Sequence, residues 1–197
     1  MKIFSPLATL LMLASLTGFQ AQAGSRQVID ANGQPQSVPD APRRVVVLSE
    51  LDLDSALTLG VQPVGTVNGR GQSTLPRYLL DKAGKEIAVV GDLDNPNLET
   101  LIDLEPDLIL TGQTKPELLA LLKEIAPTVV TGNWGEPWKT VFGRSADAMN
   151  RGAEAKAFLT RYEARLAEAR SKLAQHQGEQ MSIVRWNPKG PSYMHGG

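Results

Sequence analysis

An α/β fold built on a Rossmann-like parallel sheet is predicted by three features of the chain. Short valine- and leucine-rich runs alternate with helical stretches from residue 44 into a helix that starts near Trp138. The runs are joined by short connections, and a longer helical pattern follows over 153–177. Strands alternating with helices imply parallel pairing with right-handed crossovers. In such open sheets ligands sit outside the carboxyl ends of the strands, so the residues of interest lie just after each strand.

The elements follow in order. Gln27-Val-Ile-Asp30 and Gln36-Ser-Val38 flank Ala31-Asn32-Gly33-Gln34. Asn-Gly takes the positive φ values of a tight hairpin turn, which predicts a small edge ribbon ahead of the core. Residues 44–49 read as a buried strand, because four consecutive apolar residues, three of them valine, suit a sheet covered on both faces. A short helix over 51–59 is closed by Gly60, and 62–67 form the next strand. The alternation continues with a helix over 75–82, a strand over 87–90, a helix over 98–103 and a strand over 108–111. A helix over 116–125, a strand over 128–131 and the helix from Trp138 complete the sheet pattern.

In the long helix Phe158, Leu159, Tyr162, Leu166, Ala169 and Leu173 recur at three- and four-residue spacing on one face. At 1.5 Å per residue this helix is about 38 Å long, enough to cross a whole lobe. Its charged residues Arg161, Glu163, Arg165, Glu168 and Arg170 read as a solvated face. A further strand is expected over 181–186, and the Gly190-Pro-Ser-Tyr-Met194 stretch carries no pattern.

Residues 1–23 have the parts of a secretory signal: Lys2, an apolar run over 7–16, and the small-x-small site Ala21-Gln22-Ala23. The apolar run is about half of the roughly 20 residues needed to span a bilayer, so cleavage near Gly24 is expected, with no membrane anchor. The sequence has no cysteine, hence no disulfide, no thiolate metal site and no lipid-modified cysteine. A soluble periplasmic protein is expected. The formal net charge is −1 with both signs interspersed, which provides no electrostatic case for nucleic acid or an anionic membrane as partner. The 42% hydrophobic content supports a real core.

Catalysis finds no support, since there is no Gly-x-Ser-x-Gly and no plausible Ser-His-Asp set. Only His176 and His195 are present, so a protein-held metal is not expected. Gly69-x-Gly71 lacks the third glycine of a dinucleotide motif, position 74 being Thr, and no cofactor is expected.

Several phrases in order carry a family likeness. They are Pro42-Arg-Arg-Val-Val-Val-Leu-Ser49, Ala56-Leu-Thr-Leu-Gly60, Pro63-Val-Gly65, the run from Gly91 to Glu99, and Pro106-Asp107-Leu-Ile-Leu110. Over roughly residues 28–186 the chain resembles the helical-backbone periplasmic binding proteins, which serve ATP-driven importers of ferric siderophores, corrinoids and haem. The resemblance implies two α/β lobes joined by one long helix, with ligand held between them. On that reading 1–23 are a signal peptide, 24–150 the N-terminal lobe, 151–178 the connecting helix and 179–197 the start of a second lobe that is largely missing. It further implies a monomeric binder of an Fe(III)-siderophore complex, with an inner-membrane ABC permease as partner. A corrinoid or haem ligand, or a truncated fragment that binds nothing, are the alternatives.

The candidate ligand residues follow the strands. Glu50, Leu51 and Asp52 come after the first, although Asp52 is equally a helix-start residue stabilised by backbone N–H groups. Asn68 and Arg70 come after the second, where a guanidinium on a glycine loop suits an anionic ferric complex. Asp92 and Leu93 follow Gly91. Siderophore binders similar to this chain often place Arg where Leu93 stands, and corrinoid binders an aromatic, so Arg70 becomes the substitute charge. Gln113 and Trp134 follow the next two strands, and Trp134 either packs under its loop or touches ligand. Arg185 and Trp186 lie on the expected strand after the long helix. By resemblance to the corrinoid-binding relatives, Glu99 in Asn97-Leu98-Glu99 docks into a basic pocket of the permease.

Overall fold

The computed structural model describes residues 24–69, 71–84, 86–176, 178–179, 183–187 and 190–194. The proposed signal and Arg70 lie outside them.

The chain opens with an antiparallel ribbon, β1 (Ser25–Ile29) and β2 (Pro35–Pro39), turned at Gly33 with φ 74°. Asp30 closes the turn by accepting from the backbone N–H groups of Asn32 and Gln34 at 2.8 and 2.9 Å. Strand β3 (Val45–Val47) leads through Ser49 into α1 (Glu50–Thr58), and β4 (Gly65–Thr66) follows. A 3₁₀ turn (Arg77–Leu79) and the single turn α2 (Leu80–Ala83) stand where the sequence predicts one helix, and β5 (Ala88–Val89) follows. The run after Gly91 is a small hairpin of β6 (Gly91–Asp92) and β7 (Asn95–Pro96) rather than an open loop. Then come α3 (Leu98–Asp103), β8 (Leu108–Gly112), α4 (Pro116–Ile125), β9 (Thr128–Gly132) and α5 (Trp138–Ala148). The long helix α6 (Gly152–Leu173) ends in a 3₁₀ turn. Strands β10 (Ile183–Asn187) and β11 (Gly190–Met194) pair antiparallel, so the stretch read as unpatterned is a strand. It escaped notice because a ladder partner is invisible to local periodicity.

Five strands form one parallel sheet in the order β5-β4-β3-β8-β9. Side chains alternate across it, as a pleated strand requires. Val45, Val47, Leu108, Leu110 and Val129 face one way and pack with Leu53, Ala56, Phe142 and Ala146 of α1 and α5. Val46, Leu48 and Ile109 face the other way and pack with Leu101 and Leu122 of α3 and α4. The ribbon belongs to the first of these layers, with Val28 and Val38 in its core and Ala31 N–H donating to Val130 O at 2.7 Å. It is therefore part of the core, not an appendage ahead of it. The predicted apolar face of α6 is covered only as far as Leu166: Ala155 is buried, Phe158, Leu159, Tyr162 and Leu166 are half-buried, and Leu173 is exposed.

One polar group sits inside the α1 layer. Asp52 has no accessible surface, and its carboxylate accepts from Ser49 Oγ at 2.6 Å, Ser145 Oγ at 2.7 Å and Thr131 Oγ1 at 3.0 Å. Ser49 also caps α1 by accepting from Asp52 N–H at 3.0 Å. Three hydroxyls thus tie α1, β9 and α5 to one carboxylate. Two of them have a second acceptor in reach, Thr111 O at 3.1 Å for Thr131 and Val141 O at 2.9 Å for Ser145. The cluster can therefore satisfy either protonation state of Asp52. Burial pushes the Asp52 carboxyl above the ordinary carboxylate range, and the hydrogen bonds from Ser49, Ser145 and Thr131 offset this in part.

Because its pKa is raised in the fold, Asp52 favours folding most below the unfolded carboxylate range, and this contribution is lost as pH rises through the folded pKa. Urea unfolding from pH 4.5 to 7.5 should therefore show Asp52→Asn gaining on wild type as pH rises. Asp52→Ala should cost about 1–3 kcal/mol by leaving hydroxyls without their carboxylate; parallel pH profiles for wild type and Asp52→Asn would refute the linkage. At Gly132 an added Cβ would stand 2.7 Å from Val141 Cγ2 and 3.1 Å from its Cγ1. Gly132→Ala should accordingly lower stability by about 1–3 kcal/mol through overpacking between β9 and α5, read as a shift of the urea midpoint.

Candidate functional site

The strand order reverses between β3 and β8: the chain winds outward through β4 and β5, then returns to add β8 and β9 on the other side. Such a switch point opens a crevice, because the loops leaving the two central strands turn in opposite directions. Here the two loops adjoin. Leu48 N–H donates to Leu110 O at 2.8 Å, and a Cβ on Gly112 would lie 3.8 Å from Ser49 Cβ.

On the β3 side Leu51 is exposed, while Glu50 is half-buried. Asp52, one residue on, is turned into the core as described, because the helical advance of about 100° per residue carries it round from the exposed side of Leu51 to the side packed on the sheet. The expectation that Asp52 lines the rim is corrected: a carboxylate without accessible surface faces no ligand. Tyr78, which the sequence reading left unremarked inside a helix, is 64% exposed beside this face. Its phenol is pushed above the ordinary tyrosine range, first by partial burial and then by the charges of Glu50 and Asp54. Lys82, one turn on, pairs with Asp54 at 3.7 Å. That four-residue spacing of Tyr78 and Lys82 was the available signal.

The β4 and β5 loops are laced together. Asn68 is half-buried and its N–H donates to Gly91 O at 2.9 Å, while Asn97 N–H donates to Val90 O at 2.6 Å. Asp92 is exposed at the hairpin. Leu93 is half-buried against the core cluster of the α3 and α4 layer, so the position expected to face ligand has an apolar residue that helps to close the core. Glu99 is exposed in the first turn of α3, behind Asn97, whose Oδ1 caps Thr100 N–H at 3.0 Å.

On the β8 and β9 side the structure resolves the open question about Trp134: it does not pack under its loop. Its side chain is 91% exposed, the most of any large hydrophobic residue described. The backbone beneath it is held. Trp134 N–H donates to Gln113 Oε1 at 3.2 Å, Asn133 N–H to Glu136 Oε2 at 2.6 Å, and the Asn133 amide to Ala31 O at 3.0 Å. Gly135 then reverses the chain at φ 83°. Glu136 in turn accepts both terminal nitrogens of Arg144 at 2.8 and 2.9 Å. Arg144 first, and the Asn133 N–H second, hold the Glu136 carboxyl below its ordinary range, and the same pairing raises Arg144. Glu136 and Arg144 were not found from sequence, being eight positions apart with no shared motif.

Arg185 and Trp186 lie on β10 opposite Ser192 and Pro191, in a ladder separate from the five-stranded sheet. Among the described residues no group of three or more His, Cys, Asp or Glu is arranged to hold a metal ion, and no helix is long and apolar enough to cross a membrane. Of the residues predicted from sequence, Glu50, Leu51, Asn68, Asp92, Gln113 and Trp134 lie in the segments that follow strands of the five-stranded sheet.

Comparison with known proteins supplies the family. The probable siderophore-binding lipoprotein YfiY of Bacillus subtilis is 31% identical over 163 residues, 82% of this chain and 50% of that protein. The achromobactin-binding periplasmic protein of Dickeya dadantii is 31% identical over 138 residues, 70% of this chain and 45% of that protein. Among solved structures, Staphylococcus aureus SirA complexed with staphyloferrin B aligns with a TM-score of 0.69 at 28% identity, over 82% of this chain and 56% of that chain. The chain therefore spans about half the length of the curated relatives it matches. Since the profile of the periplasmic binding proteins is matched from the first core strand onward, over residues 45–197, the chain belongs to that family, one of substrate binders and not of enzymes.

Proposed function

We propose that this chain captures a ferric siderophore at the switch-point rim, as part of a binding protein that delivers the intact chelate to an inner-membrane ABC permease. The observation that carries this reading is Trp134, a nearly fully exposed ring on a held loop just after β9. A ring so placed provides an apolar face for stacking, and Gln113, Asn68 and the exposed loop backbone add hydrogen-bonding groups around it. Such a surface suits the organic periphery of a chelate better than a bare ion. Relatives whose names state siderophore or achromobactin binding, and a solved neighbour holding staphyloferrin B, favour this ligand class over a corrinoid or haem.

The same proposal covers the arrangement and the location. Residues 24–150 act as the N-terminal lobe, 151–178 as the connecting helix and 179–197 as the start of a second lobe. Arg70, Arg185 and Trp186 are further ligand contacts in this reading. The signal-like residues 1–23 and the cysteine-free sequence support a cleaved, soluble periplasmic monomer, where the relatives include both a lipoprotein and a periplasmic protein. Glu99, exposed in the first turn of α3, is the docking carboxylate for the permease.

Intrinsic tryptophan fluorescence should be titrated with ferric hydroxamate, catecholate and citrate chelates, a corrinoid and haem. Saturable quenching by one ferric chelate is expected, with affinity about tenfold weaker in Trp134→Ala, the loss of one stacking contact. Silence across the panel would remove the siderophore reading, and saturation by the corrinoid or haem alone would replace it. Glu99→Arg should leave that affinity within about twofold while abolishing stimulation of permease ATPase activity; a parallel loss of ligand affinity would instead assign Glu99 to the ligand.

A further inference from the structure

The Glu136–Arg144 pair lies beneath the Trp134 loop. Both side chains are about a quarter exposed, at 25% each, and the two N–H···O bonds are parallel and short. Exposed ion pairs ordinarily contribute little to stability, but a bidentate pair fixes geometry in a way a single contact does not. Among the described residues, its hydrogen bonds beyond the pair itself all go to one short segment, while Asp30 adds a favourable charge near Arg144. Glu136 Oε2 receives the Asn133 N–H, and Arg144 Nη1 also donates to Thr131 O at 3.2 Å. Asn133 and Trp134 therefore sit between an anchored carbonyl at 131 and an anchored carboxylate at 136. Arg144 stands on α5 next to Ser145, one of the hydroxyls bound to buried Asp52, so the pair is rooted in the rigid part of the lobe.

Among the described residues the indole makes no ring or cation contact, and at 91% exposure its direction depends on how firmly its loop is held; an unsupported loop would let it sample many directions. Ordering such a side chain on binding has an entropic cost that a held loop avoids.

We propose that Glu136 and Arg144 are a positioning pair for ligand capture, holding the Trp134 loop so that the indole is presented as a preformed stacking surface. This rests on the reading that Trp134 meets the ligand. Neither residue touches the ligand; both act through the backbone of residues 131–134.

The test uses a chain whose only tryptophan is Trp134, made by Trp138→Phe and Trp186→Phe, with melting temperature and far-UV dichroism checked for each variant. Time-resolved anisotropy without ligand reads the local motion of the indole directly. Arg144→Gln and Glu136→Ala should increase the amplitude of nanosecond motion with the fold intact, and Glu136→Gln, which keeps an acceptor for Asn133 N–H, should lie between them and the parent. Unchanged anisotropy in a folded Glu136→Gln, Glu136→Ala and Arg144→Gln set would overturn the proposal.

Ferric chelate binding, measured by calorimetry in the otherwise native chain, supplies the second arm. Arg144→Gln should weaken binding about three- to tenfold when Trp134 is present and have no further effect in Trp134→Ala. An equal loss in both backgrounds would assign the pair a role unrelated to Trp134. If no chelate binds the native chain, the proposed function fails, while the ligand-free anisotropy still decides whether the pair holds the indole.

Discussion

A parallel sheet joined by helical crossovers leaves neither face to water, and both faces of β3, β8 and β9 must be filled from the same few strands. Val45, Val46 and Val47 show the consequence within three residues, since the outer two pack toward α1 and α5 while the middle one packs toward α3 and α4. Each crossover helix is thereby assigned to a face, and each loop leaving a strand is forced to the carboxyl edge. The winding reverses between β3 and β8, the position where open sheets of this kind bind ligands.

Against that apolar background the carboxylate of Asp52 is costly to bury, and the fold offsets the cost with three hydroxyls from three different elements. The placement matters to the rim. Ser49 is the residue between β3 and the exposed Leu51, Thr131 lies at the end of β9 just ahead of Trp134, and Ser145 adjoins Arg144. The polar cluster in the core and the polar contacts under the Trp134 loop are thus consecutive links along the same backbone. A rim built on loops acquires its order from a core that is itself hydrogen-bonded.

The sheet carries an apolar core on each face, and the long helix α6 follows α5. The first half of α6 packs through Ala155, Phe158 and Leu159, and Trp138, Phe142, Phe158 and Tyr162 form a chain of ring contacts between α5 and α6 with centroids 5.1 to 6.3 Å apart. Beyond Leu166 the helix carries its apolar pattern into the open.

By itself the sequence determined the class of fold and the order of the strands and helices of the five-stranded sheet, and it pointed to the loops after those strands. Those properties reside in short-range pattern, since buried strands announce themselves by uninterrupted valine and leucine. Asp52 marks the boundary of that legibility. Its position at a helix start was readable, yet whether it faced ligand or core depended on hydroxyls 79 and 93 positions away. The exposure of Trp134, the pair of Glu136 and Arg144 beneath it, Tyr78 beside Glu50, and the partnership of β11 with β10 likewise came only from tertiary structure. Each depends on contacts between segments distant or unpatterned in sequence, and no local periodicity encodes which of two faces a neighbouring element will cover.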